Sequence, residues 1–350
     1  MNIYDFTDSE KISIRRILDF TSLVNPLGPS GKAKAAIRKA VKTVQLHPDE
    51  KLRFLRRHIA KIEGIGEKNI LFVNGSSRVL TLLIGRPHIR SVASPAPFPP
   101  VLSHLSEEYA LGAIAVPTHS EEGFVPDVES LIAVGSRVQV LVIPNPHTVT
   151  GAVLPSSLLE SLIQTFKGPV PLIVIDESLS GFAGNESPVR QVVEGGNSLI
   201  VRSFSLFHGL AGLRLGYVIG REDLLRKIGG DMEPWPINTF AAPAALASLK
   251  DRGYQKRTLD FIKEEKVYLK GKLAKLDALS VTDTPCNFLL LRLATNLSEI
   301  ASLFLKRNLL VNRFTDEAGQ KWLQVPVRRH KENALFLRAL GWIVRKQAKQ

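Results

Sequence analysis

Four short stretches combine residue types that could hold or activate a small ligand. Asn145-Pro146 leads to Thr150-Gly151, and Asp176-Glu177 sets two carboxylates at the end of the run PLIVIDE. Ser203-Phe204-Ser205 runs into Gly209-Leu210-Ala211-Gly212-Leu213-Arg214-Leu215-Gly216-Tyr217. The fourth, ILFVNGSS at 70–77, passes from an apolar strand through a small polar turn into a helical stretch. Strand, turn and helix in that order present free backbone N–H groups to an anion. The single cysteine, Cys286, has no second thiol to pair with and no neighbours at metal-ligand spacing, so it is read as packing and no metal is expected.

The elements around these stretches alternate. SVASPA, AIAVPT, VQVLVIPN, PLIVIDES, NSLIVRSFS and GYVIG read as strands with helices or loops between most of them. Such alternation predicts an α/β protein with a mainly parallel sheet covered on both faces. In open sheets of that kind ligands bind beyond the carboxyl ends of the strands, so the four stretches are expected to face one crevice. Residues 1–30 read as an arm ending in the turn Asn25-Pro26-Leu27-Gly28-Pro29, with helices at about 31–45 and 52–62 after it. After about Pro243 the pattern changes to a long charged helix, a strand pair around FLLLRL and LQVPV, and a closing helix. The expected division is therefore an arm at 1–30, a large domain at 31–242 and a small α+β domain at 243–350.

Bulk properties exclude several classes. A chain of 350 residues, 44% hydrophobic and 23% charged, is neither disordered nor fibrous and can bury two cores. No apolar run reaches membrane-spanning length and the start carries no secretion signal, so no membrane partner and a cytoplasmic location are expected. The 46 Lys and Arg outnumber the 33 Asp and Glu, a net +13, but the excess is spread along amphipathic segments such as KAKAAIRKAVKTV and FIKEEKVYLKGKLAKL. Basic residues on the wet face of helices, rather than clustered, point away from a nucleic-acid partner.

Taken in order, the motifs resemble those of the fold-type I pyridoxal-phosphate (PLP) enzymes, the aminotransferase superfamily with the aspartate aminotransferase-like PLP-dependent transferase fold. The resemblance covers nearly the whole chain and is nearest to histidinol-phosphate aminotransferase and threonine-phosphate decarboxylase; DFTSLVNPLGPS and Leu206-Phe207-His208 before GLAGLRLGY are similar to the decarboxylases, which are linked to cobalamin biosynthesis. The resemblance implies that Asp176 pairs with the cofactor's ring nitrogen and that Asn145 hydrogen-bonds its ring oxygen. It also implies that Arg214, Ser203 and Ser205, with the backbone of Gly75-Ser76, hold the phosphate, a task for which the planar guanidinium is suited. Phe98 lies where the family often places an aromatic near the ring. The plainer readings are a strand-end carboxylate, a turn asparagine before proline, a surface arginine, strand-end serines and a packed phenylalanine.

The resemblance also has gaps. Where the family has its Schiff-base lysine this chain has Leu206, and no lysine lies between Val201 and Tyr217. Leucine can neither bond the cofactor nor move a proton. The family's alanine-tyrosine after Asp-Glu is Ser178-Leu179, its carboxylate-binding arginine is Gln324, with Arg328 and Arg329 nearby, and its Tyr-Pro-Asp is His47-Pro48-Asp49. These changes predict a degenerate site that binds PLP or another small phosphorylated or amino-acid-like ligand without a covalent bond; the resemblance implies a homodimer, the family building its cofactor site at a subunit interface. The alternatives are a non-catalytic scaffold partnering an active homologue, and a lysine-independent enzyme using His208 as base.

Overall fold

The computed structural model describes residues 3–168, 170–276, 279–293 and 297–347. Its strands are β1 (Leu18–Phe20), β2 (Ile70–Val73), β3 (Ser91–Pro95), β4 (Gly112–Val116), β5 (Val140–Pro144), β6 (Leu172–Asp176), β7 (Ser198–Ser203), β8 (Gly216–Gly220), β9 (Leu279–Asp283), β10 (Phe288–Leu293), β11 (Leu309–Thr315) and β12 (Lys321–Pro326). Seven of them form one sheet in the order β2-β8-β7-β6-β5-β3-β4. It is parallel throughout except at β8, which runs antiparallel to both β2 and β7.

Burial on both faces explains the unbroken apolar runs of the central strands. Leu141 and Ile143 of β5 and Ile173 and Ile175 of β6 enter one core, which the helices Arg53–Glu63, Ser156–Thr165 and Ala241–Leu249 also help to build. Val140, Val142 and Val174 point the other way, into a core shared with the helices Ser77–Ile84, Pro100–Glu108 and Glu222–Gly229. The period-two alternation of a strand thus divides one hydrophobic string between two cores.

The second sheet has the order β1-β11-β12-β10-β9. Its pairs are antiparallel except that β1 lies parallel to β11, with Leu18 opposite Leu309 and Phe20 opposite Val311. Phe20, Phe288, Leu290, Phe304, Phe336 and Leu340 are among the residues of its core. The helices Arg252–Leu273 and His330–Gln347 contribute to that core.

What matters for the site is register. Pro144 pairs with Asp176, and Asp176 with Val201, so β5, β6 and β7 end at nearly one level. The amides just beyond continue the ladder, Asn145 N–H donating to Asp176 O at 2.8 Å and Glu177 N–H to Val201 O at 2.8 Å. The residues that follow these three strands therefore emerge along one edge.

Candidate functional site

A cavity of about 210 Å³ opens at that edge. Asp176, Ser178, Ser203, Ser205, Leu206 and Arg214 line it, together with Ser76, Ser77 and Thr148 and an apolar wall of Leu80, Val101, Val174 and Val201. The structure thus brings together five residues anticipated from sequence: Ser76, Asp176, Ser203, Ser205 and Arg214. Gly75 belongs with them through its contact with Arg214. Arg214 is the one cation among these lining residues, and it makes no ion pair among the described residues.

The turn at 73–77 is shaped around this arginine. Gly75 has φ +85°, a left-handed conformation natural to glycine, and a Cβ there would stand 2.2 Å from Nη2 of Arg214. Gly216 allows the equally close approach of β8 beneath the turn, since its Cβ would meet the Ser76 backbone nitrogen at 2.8 Å. The helix Ser77–Ile84 starts here, and its Ncap, Ser76, makes no side-chain cap hydrogen bond. Arg214 Nη2 reaches Ser77 Oγ at 3.5 Å. A guanidinium, hydroxyls and the positive end of a helix dipole converge on one small space, an arrangement whose charges favour an anion.

Asp176 supplies the opposite charge. Its Oδ1 accepts from the Ser178 amide at 2.9 Å and from Ser178 Oγ at 2.5 Å, while Oδ2 takes no hydrogen bond among the described residues. Burial pushes its carboxyl above the usual range, and the two bonds from Ser178 work against that rise. Ser178 Oγ also lies 3.5 Å from Ser76 Oγ, linking the carboxylate to the turn at 73–77. Ser178 and Ser77 were not anticipated as site residues. Serine two positions after aspartate is a recognisable Asx-turn signal, and Ser77 simply continues Gly75-Ser76.

The neighbouring carboxylate has a different task. Glu177 Oε2 is 2.8 Å from Arg202 Nε, and Arg202 Nη1 is 2.5 Å from Glu63 Oε1. This buried charge group braces β7 against the helix Arg53–Glu63 and is not among the cavity-lining residues.

Asn145 follows β5 at the same edge, and its side chain is engaged within its own loop. Its Oδ1 accepts from the Leu154 amide at 2.8 Å and its Nδ2 donates to the Leu154 carbonyl at 3.1 Å. The side chain is wholly buried, clips the loop 145–154 closed and is absent from the cavity lining. Phe98 lines an adjoining groove with His104, Arg313 and Phe314, and Val101 faces the cavity instead. His208 Nδ1 is 2.9 Å from Ser248 Oγ, its ring lies against Phe204 and Phe207, and it is not among the lining residues. Burial lowers its pKa to about 4, so the ring is neutral at physiological pH.

Leu206 is held in place through its backbone. Its carbonyl accepts from the Asn25 amide at 2.9 Å, and Asn25 Nδ2 donates to the Phe207 carbonyl at 2.9 Å. The turn at 25–29 thus grips the loop that carries the leucine, and Gly209 packs so closely on it that a Cβ would lie 2.5 Å from the Gly28 carbonyl carbon. Leu179 is wholly buried in the second core.

Gln324 on β12 is also buried. Its Nε2 donates to the carbonyls of Thr148 and Val149, both at 2.9 Å, and its Oε1 accepts from Asn312 Nδ2 at 2.9 Å. Arg328 pairs with Glu332 and Arg329 binds the Pro26 carbonyl, so neither faces the cavity. Burial pushes the Cys286 thiol up to about 12, which leaves it protonated and unreactive.

His47, Pro48 and Asp49 line a separate, mostly apolar groove of about 370 Å³ with Leu46, Phe54 and Leu246. His47 stacks on Trp235 with centroids 4.9 Å apart, and Asp49 caps the helix Arg53–Glu63 by accepting from the Arg53 amide. Among the described residues no cluster of three metal-ligating side chains occurs, and no helix is long and apolar enough to cross a membrane.

A family model described as aminotransferase class I and II matches residues 16–340. Histidinol-phosphate aminotransferase of Moorella thermoacetica is 27% identical over 346 residues, covering 95% of this chain and 87% of that protein. Among solved structures, histidinol-phosphate aminotransferase from Sinorhizobium meliloti in complex with pyridoxal 5′-phosphate matches with a TM-score of 0.90 at 19% identity, over 99% of this chain and 95% of that one. L-threonine-O-3-phosphate decarboxylase from Porphyromonas gingivalis matches with a TM-score of 0.72 at 22% identity, over 94% of this chain and all of that one.

Proposed function

The chain belongs to the aminotransferase class I and II family, and on that premise we propose that it is a degenerate member which binds PLP, or a ligand of the same phosphorylated class, without a covalent bond. The observation that carries this reading is the composition of the cavity lining: an unpaired Arg214, a helix start and Asp176 are present, and a leucine stands on the Leu206 loop with no lysine among the lining residues. Arg214, Ser76, Ser77, Ser203 and Ser205 would hold the phosphate. Asp176, with Oδ2 free, would face a protonated ring nitrogen. The cradle at Gly75 fits such an anion because it brings the guanidinium against the backbone of the turn. When bound, PLP supplies a cationic ring that accepts electrons from a substrate carbon.

Among the described lining residues no lysine or histidine is placed to move a proton. His208 is directed at Ser248, which speaks against its use as a base. Ser178 holds Asp176 as a hydrogen-bond acceptor and leaves the carboxylate as a binding group. The test is an absorption spectrum of the purified protein titrated with PLP, followed by borohydride reduction and peptide mapping. A reversible, saturable spectral change with no cofactor fixed in the 201–217 peptide supports the reading; stoichiometric attachment at one lysine would overturn it.

We also propose that the functional unit is a homodimer. Phe54, Leu46, Val44, Val41 and Trp235 are exposed by 47% to 75% at or near the groove that contains His47, an apolar face suited to contact with a second copy of the chain. Sedimentation at micromolar concentration should give twice the chain mass, and a stable monomer would rule this out.

A further inference from the structure

The charges of the cavity and the bonding of Gln324 together say what kind of ligand the site refuses. Among the lining residues the ionisable groups are Arg214 and Asp176. A phosphate that engages Arg214 and the start of the helix Ser77–Ile84 takes up the cationic part of the site. The ring nitrogen then meets Asp176, and no second cation remains among the described lining residues to receive a further anion.

On the β12 side Gln324 offers such an anion no donor, and Arg313 and His104 line the adjoining groove rather than the cavity. Thr148 lines the cavity, and its carbonyl and that of Val149 are both held by the Gln324 amide nitrogen. The Gln324 oxygen is occupied by Asn312, whose Nδ2 also reaches the Thr21 carbonyl at 2.8 Å. Every hydrogen of the Gln324 amide is engaged, so no donor remains on this neutral, 3% exposed side chain for a ligand carboxylate. The cavity volume of about 210 Å³ lies below the ~300 Å³ at which drug-sized ligand pockets begin, which suits a compact ligand.

We propose that the site selects a compact phosphomonoester carrying a basic nitrogen and rejects one that also carries a carboxylate, and that Gln324 contributes to this preference because its amide hydrogens, both spent on the 148–149 carbonyls, leave no donor for that carboxylate. This rests on the reading of the cavity as a phosphate site. In that case the protein recognises a free cofactor-like amine or its neutral derivatives rather than a cofactor joined to an amino acid.

The experiment uses the full chain and calorimetry with three ligands: pyridoxamine 5′-phosphate, N-(5′-phosphopyridoxyl)ethylamine and N-(5′-phosphopyridoxyl)-L-alanine. The last two differ by one carboxylate, which separates charge from bulk. The alanine derivative should bind at least about tenfold more weakly than the ethylamine derivative, and equal or tighter binding overturns the proposal. Gln324→Arg should narrow that ratio by about fivefold or more, whereas Gln324→Leu, which also breaks the clamp, should leave it in place. Equal ratios in wild type and Gln324→Arg would remove Gln324 from the role, and where the arginine variant does not fold the wild-type ratio alone decides. Absence of binding by all three ligands and by inorganic phosphate is a different result: it sinks the phosphate-site reading itself, and this inference with it.

Discussion

The guanidinium of Arg214 lies against the α-carbon of Gly75, so close that a methyl group on Gly75 would stand 2.2 Å from Nη2 and 2.7 Å from Cζ. Arg214 is itself in a left-handed conformation, φ +51°, which aims its side chain back over the turn. Arg214→Ala is therefore expected to weaken pyridoxamine 5′-phosphate binding by about 1.5–3 kcal/mol, the range of a charge-assisted hydrogen bond. Gly75→Ala, which leaves the arginine in the chain but displaces it, should lose a comparable amount. Calorimetric titration of both variants checks the pair; full affinity in Gly75→Ala would show that the contact is incidental.

Asp176 should trade stability for binding. Burial raises its carboxyl pKa, so the native protein holds that proton more tightly than the unfolded chain does. Its stabilising effect is present at low pH and is lost as pH rises through the native-state value. Asp176→Asn should accordingly raise resistance to urea more at neutral than at acid pH, while weakening the binding of a ligand with a protonated nitrogen. A uniform loss of stability at both pH values would contradict this assignment.

His147 produces the opposite pH dependence. It is buried, with Nδ1 accepting from the amides of Val149 and Thr150 and Nε2 facing the Pro95 carbonyl at 3.3 Å. Burial lowers its pKa from 6.5 to about 4, so the unfolded chain binds the extra proton first. Stability should fall as pH drops from about 6.5 towards 4, by about 3 kcal/mol from this residue, and His208 acts in the same direction. Urea titrations should show a shallower acid limb in His147→Gln than in wild type.

Leu206→Lys tests the site from the other side. The Asn25 bond fixes the backbone at 206 and the side chain there lines the cavity, so an amine would enter the space between Asp176 and Arg214. The variant should turn yellow with PLP and retain the cofactor in the 201–217 peptide after borohydride. Turnover should stay low, since misplacement of reacting groups by itself costs on the order of a hundredfold in rate. A colourless variant that folds normally would show that the crevice no longer accommodates the ring.

The strand ends were legible because their causes are local. Continuous apolar runs signal strands buried on both faces, and small polar residues after them signal where each strand stops, which is enough to bring Asp176, Ser203 and Arg214 to one edge. Motif spacing says less about which way a side chain turns. Asn145 closes on Leu154, nine residues away, and His208 turns to Ser248. The Gln324 clamp joins residues 176 apart in sequence, and the strand at 18–20 completes a sheet with 309–311. No periodicity in either partner announces such pairings, because each is settled by what the rest of the fold brings alongside.

That last pairing bears on how the protein is made. Phe20 finds its strand partner, Val311, roughly 290 residues later in the chain. At about 5–20 residues per second, a ribosome needs between about 15 and 60 seconds to supply β11 after β1 has been added. During that interval the first sheet, whose strands all lie between 70 and 220, can assemble, while Phe20 must wait without the core that will bury it. The nascent chain thus carries β1, with Phe20 exposed, for most of its synthesis.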